Sequence, residues 1–323
     1  MTGRKIILCL FAWVLSLAVD AQMNNVPLSS LYMFNGLMIN PAYAGSHEVL
    51  SSVFSHRKQW VGFTGAPTSQ DFAIHTPLAK GDKKDNFMAL GIMGMFEQTP
   101  VTRTSEFYVD YAYHIKINNI TGGRLALGLQ AGINHATVDY TINQDYRSMQ
   151  VFNTTDPAFS FRNPVTIPNF GFGAYYYTNE FYLGLSVPRF FSFPSDTSGT
   201  SSGPVFKYNQ MNFLATGGVV ITFNPNFRFK PSAMVRYTPS LGVQTDLNAN
   251  FIMFRDKLWI GASYRSDNTV IALLEIQISP QIKLGYAYDY SMNEIRNYTS
   301  GSHEFQLRYE LNYRIKAVNP KFF

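Results

Sequence analysis

Two copies of the tetrapeptide Gly-Ser-His-Glu, at positions 45–48 and 301–304, are the residues whose types most resemble a chemical site. Histidine nitrogens and carboxylate oxygens are common zinc ligands, and two such sets together suggest a metal centre. Each copy, however, directly precedes a stretch with the periodicity of a β-strand. If the strands close into a barrel with an even number of strands, the strands after the two copies, the first and the last, are antiparallel neighbours. Antiparallel neighbours begin at opposite ends of their sheet, so the two copies lie far apart. We therefore interpret both copies as strand-initiating loops and predict no metal site.

A second polar cluster occupies 56–60 and reads His-Arg-Lys-Gln-Trp. It fits two interpretations: polar side chains facing the lumen of a barrel next to an interfacial tryptophan, or a contact for a partner or ligand near one rim. The motifs of serine hydrolases, zinc proteases and phosphate-binding loops are absent. The one cysteine, Cys9, lies near the N-terminus. No catalytic arrangement therefore emerges from these residues, which argues against an enzyme without excluding one whose catalytic residues are scattered along the strands.

The stretch 303–316, which overlaps the second Gly-Ser-His-Glu copy, has the pattern of a β-strand. Its odd-numbered residues over 305–315 are apolar or aromatic, and its even-numbered residues over 304–314 are charged or amides. Successive side chains of a strand point to opposite faces, so this alternation predicts a strand with one apolar and one polar face. Strands of membrane barrels have this pattern, with apolar groups toward lipid and polar groups toward the lumen.

Comparable stretches recur along the chain and give about fourteen candidate strands. They span 48–60, 67–78, 86–97, 104–117, 124–137, 166–178, 180–189, 208–223, 226–237, 242–254, 257–266, 269–279, 281–291 and 303–316. Charged residues make up only 15% of the chain, compared with about 25% in soluble domains, and aromatic residues also make up 15%. The sequence therefore predicts an all-β fold, a closed antiparallel transmembrane β-barrel of about fourteen strands. Lys and Arg are scattered, so we expect no nucleic-acid partner.

The lengths of the connections support this barrel independently. The long ones, 139–165, 190–207 and 292–302, all follow odd-numbered strands, and the turns after even-numbered strands are short. Outer-membrane barrels have long extracellular loops on one rim and short periplasmic turns on the other. We therefore expect the long connections to face outward and both termini to lie in the periplasm.

The first residues predict export. Residues 1–21 have a basic start, an apolar centre too short to span a bilayer, and Val19-Asp20-Ala21 as a cleavage site, which together indicate a secretory signal peptide. The expected location is the outer membrane of a Gram-negative bacterium, with the signal peptide removed.

Residues 22–47 are predicted to form a plug inside the barrel, which leaves 48–323 as the outer-membrane barrel itself. Ser29 or Ser30 is predicted to cap a short helix that ends before Pro41. Candidate strand 86–97 is apolar on both faces, and we expect the plug to cover its inner face.

Five motifs stand in order along the mature chain. They are Ile39-Asn40-Pro41-Ala42-Tyr43-Ala44-Gly45, Arg57-Lys58-Gln59-Trp60, Gly65-Ala66-Pro67-Thr68, Pro168-Asn169-Phe170-Gly171-Phe172-Gly173 and Gly301-Ser302-His303-Glu304. Together they resemble the PorP/SprF family of outer-membrane proteins of the type IX secretion system of Bacteroidetes. The motif residues singled out as candidate contacts to a partner or to the plug are Asn40, Pro41, Tyr43, Gly45, Arg57, Gln59, Trp60, Pro67, Asn169, His303 and Glu304.

The resemblance implies an accessory barrel that supports export or surface retention of a large secreted protein, such as an adhesin. The implied partners are translocon components of type IX secretion, that substrate and outer-membrane lipid, with no enzymatic activity and no cofactor. Two alternatives stay open. One is a transporter of small hydrophobic compounds resembling the long-chain fatty-acid channels, whose plug also carries Asn-Pro-Ala. The other is a barrel enzyme with scattered catalytic residues.

The segregation of connection lengths predicts which rim is accessible from outside. Protease added to intact cells should cut within 198–202 and leave the turn at 79–86 intact, because only the long outward loops are exposed to it. Mapping the fragments by mass spectrometry measures this. Cleavage at 79–86 with protection of 198–202 would reverse the predicted topology.

Overall fold

The computed structural model describes residues 29–78, 86–117, 122–138, 164–191 and 208–311. The predicted signal peptide, most of the two longest connections and the end of the predicted strand 303–316 lie outside these ranges.

In the described ranges, fifteen β-strands form one antiparallel sheet. They are β1 (Leu50–Lys58), β2 (Thr68–Pro77), β3 (Phe87–Gln98), β4 (Thr102–Lys116), β5 (Arg124–Val138), β6 (Val165–Tyr177), β7 (Phe181–Val187), β8 (Phe213–Val219), β9 (Ile221–Asn224), β10 (Phe227–Thr238), β11 (Gly242–Met253), β12 (Leu258–Arg265), β13 (Thr269–Gln277), β14 (Ile282–Ser291) and β15 (Ser302–Leu311).

The sheet closes on itself through the first and last strands. β15 pairs with β1, from Leu50 opposite Leu311 to Lys58 opposite His303. β8 and β9 both pair with β10, so the fifteen strands fill fourteen positions of the wall. The predicted closed antiparallel transmembrane barrel of about fourteen strands is confirmed.

The predicted strand 208–223 is wrong in its extent. Its first part contains a short 3-10 turn, Tyr208–Gln210, and the remainder is divided into β8 and β9 around Val220. Pro231 of β10 lies between the stretch paired with β8 and the stretch paired with β9. Because proline has no N–H to donate, the ladder is interrupted at this point.

The two faces of the wall follow the predicted alternation. On β4, Phe107 and Val109 are exposed on the outer face, whereas Glu106, Asp110 and His114 are buried in the lumen. The outer face is thus apolar and contacts lipid, and the lumenal face carries most of the buried charge. None of the helical turns in the described residues is long and apolar enough to cross a membrane.

The N-terminal segment, residues 29–49, fills the lumen. It contains three 3-10 turns, at Tyr32–Phe34, Gly36–Met38 and Pro41–Tyr43. The predicted serine-capped helix is therefore wrong. Leu31 precedes the first turn without a side-chain cap. The hydroxyls of Ser29 and Ser30 donate to carboxylates of the barrel wall, and the Ser29 oxygen also accepts the N–H of Leu31 at 3.2 Å.

The segment packs against opposite parts of the wall through two apolar clusters. Its first part, with Leu31 and Phe34, joins residues of β10–β14 such as Trp259. Its second part, with Leu37 and Tyr43, joins residues of β2–β6. A Cβ at Gly91 of β3 would lie 3.0 Å from Leu37, so the segment covers the inner face of β3, as its two-sided apolar sequence predicts.

Depth in the bilayer should decide how much a charge destabilises the outer face of β15. Leu307 lies in the middle of this strand and is 45% exposed, whereas Leu311 is its last residue. We expect Leu307→Arg to lower the free energy of unfolding by about 2–4 kcal/mol and Leu311→Arg by about 0–1 kcal/mol, because only the first charge is held near the midplane. Denaturant titration in lipid vesicles measures both, and a larger effect at Leu311 would contradict this assignment.

Candidate functional site

A cluster of buried charges lies in the lumen where the barrel closes. Arg57 of β1 donates to Asp289 of β14 over 2.6 Å and to Glu304 of β15 over 3.2 Å. None of the three residues is more than 7% exposed. We call Arg57, Asp289 and Glu304 the closure cluster, because they join the first strand to the last two.

Two serines of the N-terminal segment complete the closure cluster. Ser30 donates its backbone N–H to Glu304 (2.7 Å) and its hydroxyl to Asp289 (2.8 Å), and the same hydroxyl oxygen accepts from Arg57 (2.9 Å). Ser29 donates its hydroxyl to Glu304 (2.5 Å). Two carboxylates share one guanidinium here, and a buried charge is costly unless it is hydrogen-bonded. The segment therefore supplies donors that the wall alone lacks.

The Asn-Pro-Ala motif of the segment lies against wall positions that have no side chain. A Cβ at Gly128 of β5 would lie 2.1 Å from the backbone nitrogen of Ala42, and a Cβ at Gly173 of β6 would lie 2.0 Å from Oδ1 of Asn40. Gly128 and Gly173 face each other across the two strands. We call this pair the glycine seat, since any other residue there would occupy the space of the segment.

Asn40 connects the segment to the wall and also shapes the turn that follows it. Its Oδ1 accepts the N–H of Ala42 at 3.0 Å, which caps the turn that Pro41 begins. Its Nδ2 donates to the backbone carbonyls of Ala174 (3.0 Å) and Leu185 (3.3 Å), which are cross-strand partners in β6 and β7. One side chain thus caps a turn and bonds to two strands of the barrel.

Two wall histidines bind the backbone of the segment just beyond this motif. Nδ1 of His75 accepts the N–H of Gly45 at 3.0 Å. Nε2 of His114 donates to the carbonyl oxygen of Ala44 at 2.7 Å, while its Nδ1 lies 2.9 Å from the hydroxyl of Tyr177. The bond from Gly45 requires Nδ1 of His75 to carry no proton, and the bond to Ala44 requires a proton on Nε2 of His114. Gly45 has φ of +76°, and a Cβ there would lie 2.3 Å from Ala89.

The last contact of the segment reaches the final strand. Nδ1 of His47 lies 3.2 Å from Glu310 of β15, and its Nε2 lies 2.8 Å from the hydroxyl of Tyr43. Glu310 is also within 3.6 Å of Lys283. The segment is thus bonded to the wall at its start, at its Asn-Pro-Ala motif and at its exit into β1.

Three other predicted residues lie at the rim that follows β1. The N–H of Gln59 donates to the carbonyl of Pro67 (3.0 Å) across the connection between β1 and β2. Trp60 has φ of +44°, and its N–H donates to the hydroxyl of Ser302 (3.1 Å). These contacts shape the rim, and Arg57 of the same motif is the one that points into the lumen.

The two remaining predicted residues lie on other parts of the barrel. Asn169 of β6 accepts the N–H groups of Phe190 (2.8 Å) and Phe191 (3.0 Å) and donates to the carbonyl of Phe191 (2.9 Å). It holds the chain after β7 against the wall. His303 contacts the hydroxyl of Tyr286 at 2.7 Å, so it belongs to an aromatic group beside the start of β15.

The predicted residues therefore do not form one site. Arg57 and Glu304 meet in the closure cluster, and Asn40, Pro41, Tyr43 and Gly45 belong to the segment. The two Gly-Ser-His-Glu copies lie at opposite ends of β1 and β15, as their order in the strands predicts. In the ranges that the structure describes, no group of three or more His, Cys, Asp or Glu side chains is placed to hold a metal ion.

Sequence reasoning missed the wall residues that receive the segment. They are Asp289, His75, His114, Gly128 and Gly173. A signal existed for the glycines, since isolated glycines within strands often mark a close approach of another backbone. The histidines and Asp289 give no such signal, because any lumen-facing polar residue satisfies the alternation.

Filling the glycine seat should displace the segment. We expect Gly128→Ala to destabilise the barrel by about 1–3 kcal/mol, the usual range for overpacking, and to raise ion conductance, because the new methyl group occupies the position of the Ala42 backbone. Gly217→Ala on β8 is the matched control, since a Cβ there meets nothing nearer than 3.6 Å. Planar-bilayer conductance and denaturant titration measure both effects. Equal behaviour of the two variants would contradict the glycine seat.

In overall fold the chain is similar to known outer-membrane barrels. It matches the outer membrane protein Omp33 of Acinetobacter baumannii with a TM-score of 0.46 and 9% identity, over 83% of this chain and 100% of that one. It matches a triple mutant of the porin of Rhodopseudomonas blastica with a TM-score of 0.36 and 8% identity, over 81% of this chain and 99% of that one. Likeness at this level carries no argument about function. No curated protein matches the chain.

The family comparison is specific. The family described as "Type IX secretion system membrane protein PorP/SprF" matches residues 21–309. This range contains the N-terminal segment, the glycine seat and the closure cluster. The match confirms the resemblance that the five sequence motifs indicate: the chain belongs to the PorP/SprF family of type IX secretion system membrane proteins.

Proposed function

We propose that this protein is an accessory outer-membrane barrel of type IX secretion, which supports export or surface retention of a large secreted protein such as an adhesin. The family match over residues 21–309 carries the proposal. On this proposal residues 1–21 are removed as a signal peptide, and the mature barrel lies in the outer membrane of a Gram-negative bacterium.

The filled lumen supports a role without a through-passage for protein. Barrels of 16–18 strands leave an aqueous channel, whereas this wall has fourteen positions and the N-terminal segment occupies its interior. Such a lumen has no room for a folded adhesin. The protein therefore acts through its rims and outer surface, next to a larger export pore that the other translocon components supply.

The chain after β7 is the candidate contact with those components. Phe190 and Phe191 are partly exposed, and their rings lie 5.5 Å from Phe172 and 6.1 Å from Phe170 on the outer face of β6. Asn169 fixes this arrangement through its bonds to both backbones. Aromatic side chains held rigidly at a surface are typical of protein contacts. On the proposed topology they lie at the outward rim.

The transporter alternative requires an open apolar passage beside the plug. The two apolar clusters oppose it, because they join the segment to both β2–β6 and β10–β14. Movement of a small compound through the barrel would require the segment to leave one of these walls. We therefore favour the secretion role.

A deletion strain distinguishes the two functions. Loss of this protein should remove one or a few large proteins from the cell surface and leave uptake of fatty acids and small hydrophobic dyes unchanged, because the barrel serves export and is closed. Quantitative surface proteomics and uptake assays measure the two outcomes side by side. An unchanged surface proteome with lost uptake would overturn the secretion role and support the transporter.

Complementation localises the contact. The wild-type chain should restore the surface proteins. A chain lacking residues 195–204 in the long connection should fold as a barrel but should not restore the surface proteins. A chain shortened within 79–85, on the opposite rim, is the matched control and should restore both. Full restoration by the chain lacking 195–204 would exclude these ten residues as the contact and leave Phe190 and Phe191 as the part to be tested.

A further inference from the structure

A small cavity lies in the lumen between the N-terminal segment and the wall. Met38 and Ile39 line it from the segment, and Met93, Leu214 and Arg236 line it from the wall. The volume open to the centre of a water-sized sphere is about 40 Å³, and a single water needs about 10–15 Å³ on this measure. The cavity therefore has room for a few waters or one small ion, but not for an organic ligand of ordinary size.

Arg236 differs from the other buried arginines in the described part of the chain. Arg57, Arg265 and Arg308 are similarly buried, and each pairs with at least one carboxylate at 3.2 Å or less. Arg236 is 4% exposed, and its Nε and Nη1 have no hydrogen-bond partner among the described residues. A guanidinium stays protonated in proteins, so a positive charge is buried here without a carboxylate of its own.

The charged neighbours of Arg236 leave its charge uncompensated. Asp246, Arg265 and Arg189 act on it electrostatically, and two of these three groups are themselves positive. Asp246 is the attractive one, but it already accepts three bonds of 3.0–3.1 Å from Arg265. Glu106, further along the wall, is bonded to Arg189 at 2.8 Å. Because burying an unpaired charge is strongly unfavourable, the retention of Arg236 requires a compensating anion.

We propose that this cavity binds one small monovalent inorganic anion, represented by chloride, beside the guanidinium of Arg236. A single negative charge matches the one uncompensated cation, and chloride, which is only slightly larger than water, fits the available volume. Arg189 also lines the cavity and adds to the attraction. The bound anion lies between β10 and the residues Met38 and Ile39 of the segment, so it stabilises the plugged barrel. The site requires no passage through the barrel and is independent of the proposed role in secretion.

Bromide locates the site directly, because it resembles chloride in charge and size and scatters X-rays anomalously. Crystals of the purified barrel are soaked in sodium bromide, and diffraction data are collected at the bromine absorption edge. We expect an anomalous peak inside the lumen, next to the guanidinium of Arg236. A well-ordered Arg236 with no bromine peak beside it would overturn the proposal.

Chloride titration measures binding in solution. The purified barrel is melted in a nonionic detergent at constant ionic strength, while sodium chloride progressively replaces sodium gluconate, whose anion is too large for the cavity. The melting temperature of the wild type should rise with the chloride concentration and then level off, because a ligand that binds only the folded state stabilises it by mass action. A melting temperature that does not respond to chloride would contradict the proposed site.

Variants test the role of Arg236. Arg236→Gln should weaken chloride binding at least about tenfold, because it removes a charge-assisted interaction. Arg255→Gln, which removes one exposed arginine from the turn before β12, is the matched control and should respond to chloride as the wild type does. In gluconate, Arg236→Gln should melt no lower than the wild type, because it removes an uncompensated buried charge. An unchanged chloride response of Arg236→Gln, or an equal loss of response in both variants, would overturn the assignment to Arg236.

Discussion

The ionic hydrogen bonds of the closure cluster are the constraint on which the rest of this barrel depends. Arg57 belongs to the first strand, whereas Asp289 and Glu304 belong to the last two, so their attraction acts across the seam where the sheet closes. Two carboxylates and one guanidinium leave an excess of negative charge in a low-dielectric lumen. Ser29 and Ser30 offset it with three donated hydrogen bonds. Barrel closure and placement of the N-terminal segment are therefore coupled at one point.

The remaining contacts of the segment follow from that placement. A chain fixed at Ser30 and continuous with β1 must cross the lumen, and its apolar residues then meet opposite walls in two clusters. Backbone groups inside a barrel have no bulk water to bond, so wall side chains and carbonyls must serve as partners. His75, His114 and the carbonyls of Ala174 and Leu185 do so. The glycine seat provides the close approach that these bonds require.

The sequence predicts the wall well because period-two alternation is a local property. Strand number, closure and the apolar face of β15 all follow from it. The split of β8 from β9 depends on Pro231 in the opposite strand, and cross-strand registers are not visible in one sequence. The helix predicted after Ser29 or Ser30 is wrong for a related reason. A serine before an apolar run is a normal helix cap, but here the hydroxyls of Ser29 and Ser30 donate to carboxylates of distant strands, which one sequence does not show.

The way the segment is held bears on what the barrel can do. Displacing it would leave Asp289 and Glu304 sharing one arginine, and would leave the imidazoles of His75 and His114 without their backbone partners. Water could replace these bonds only by entering between the segment and the wall, where the two apolar clusters pack. The segment and wall thus behave as one cooperative unit rather than as a channel with a loop that swings aside. On the proposed role, contacts with other proteins are left to the parts outside this unit, namely the rims and the connections predicted to face outward.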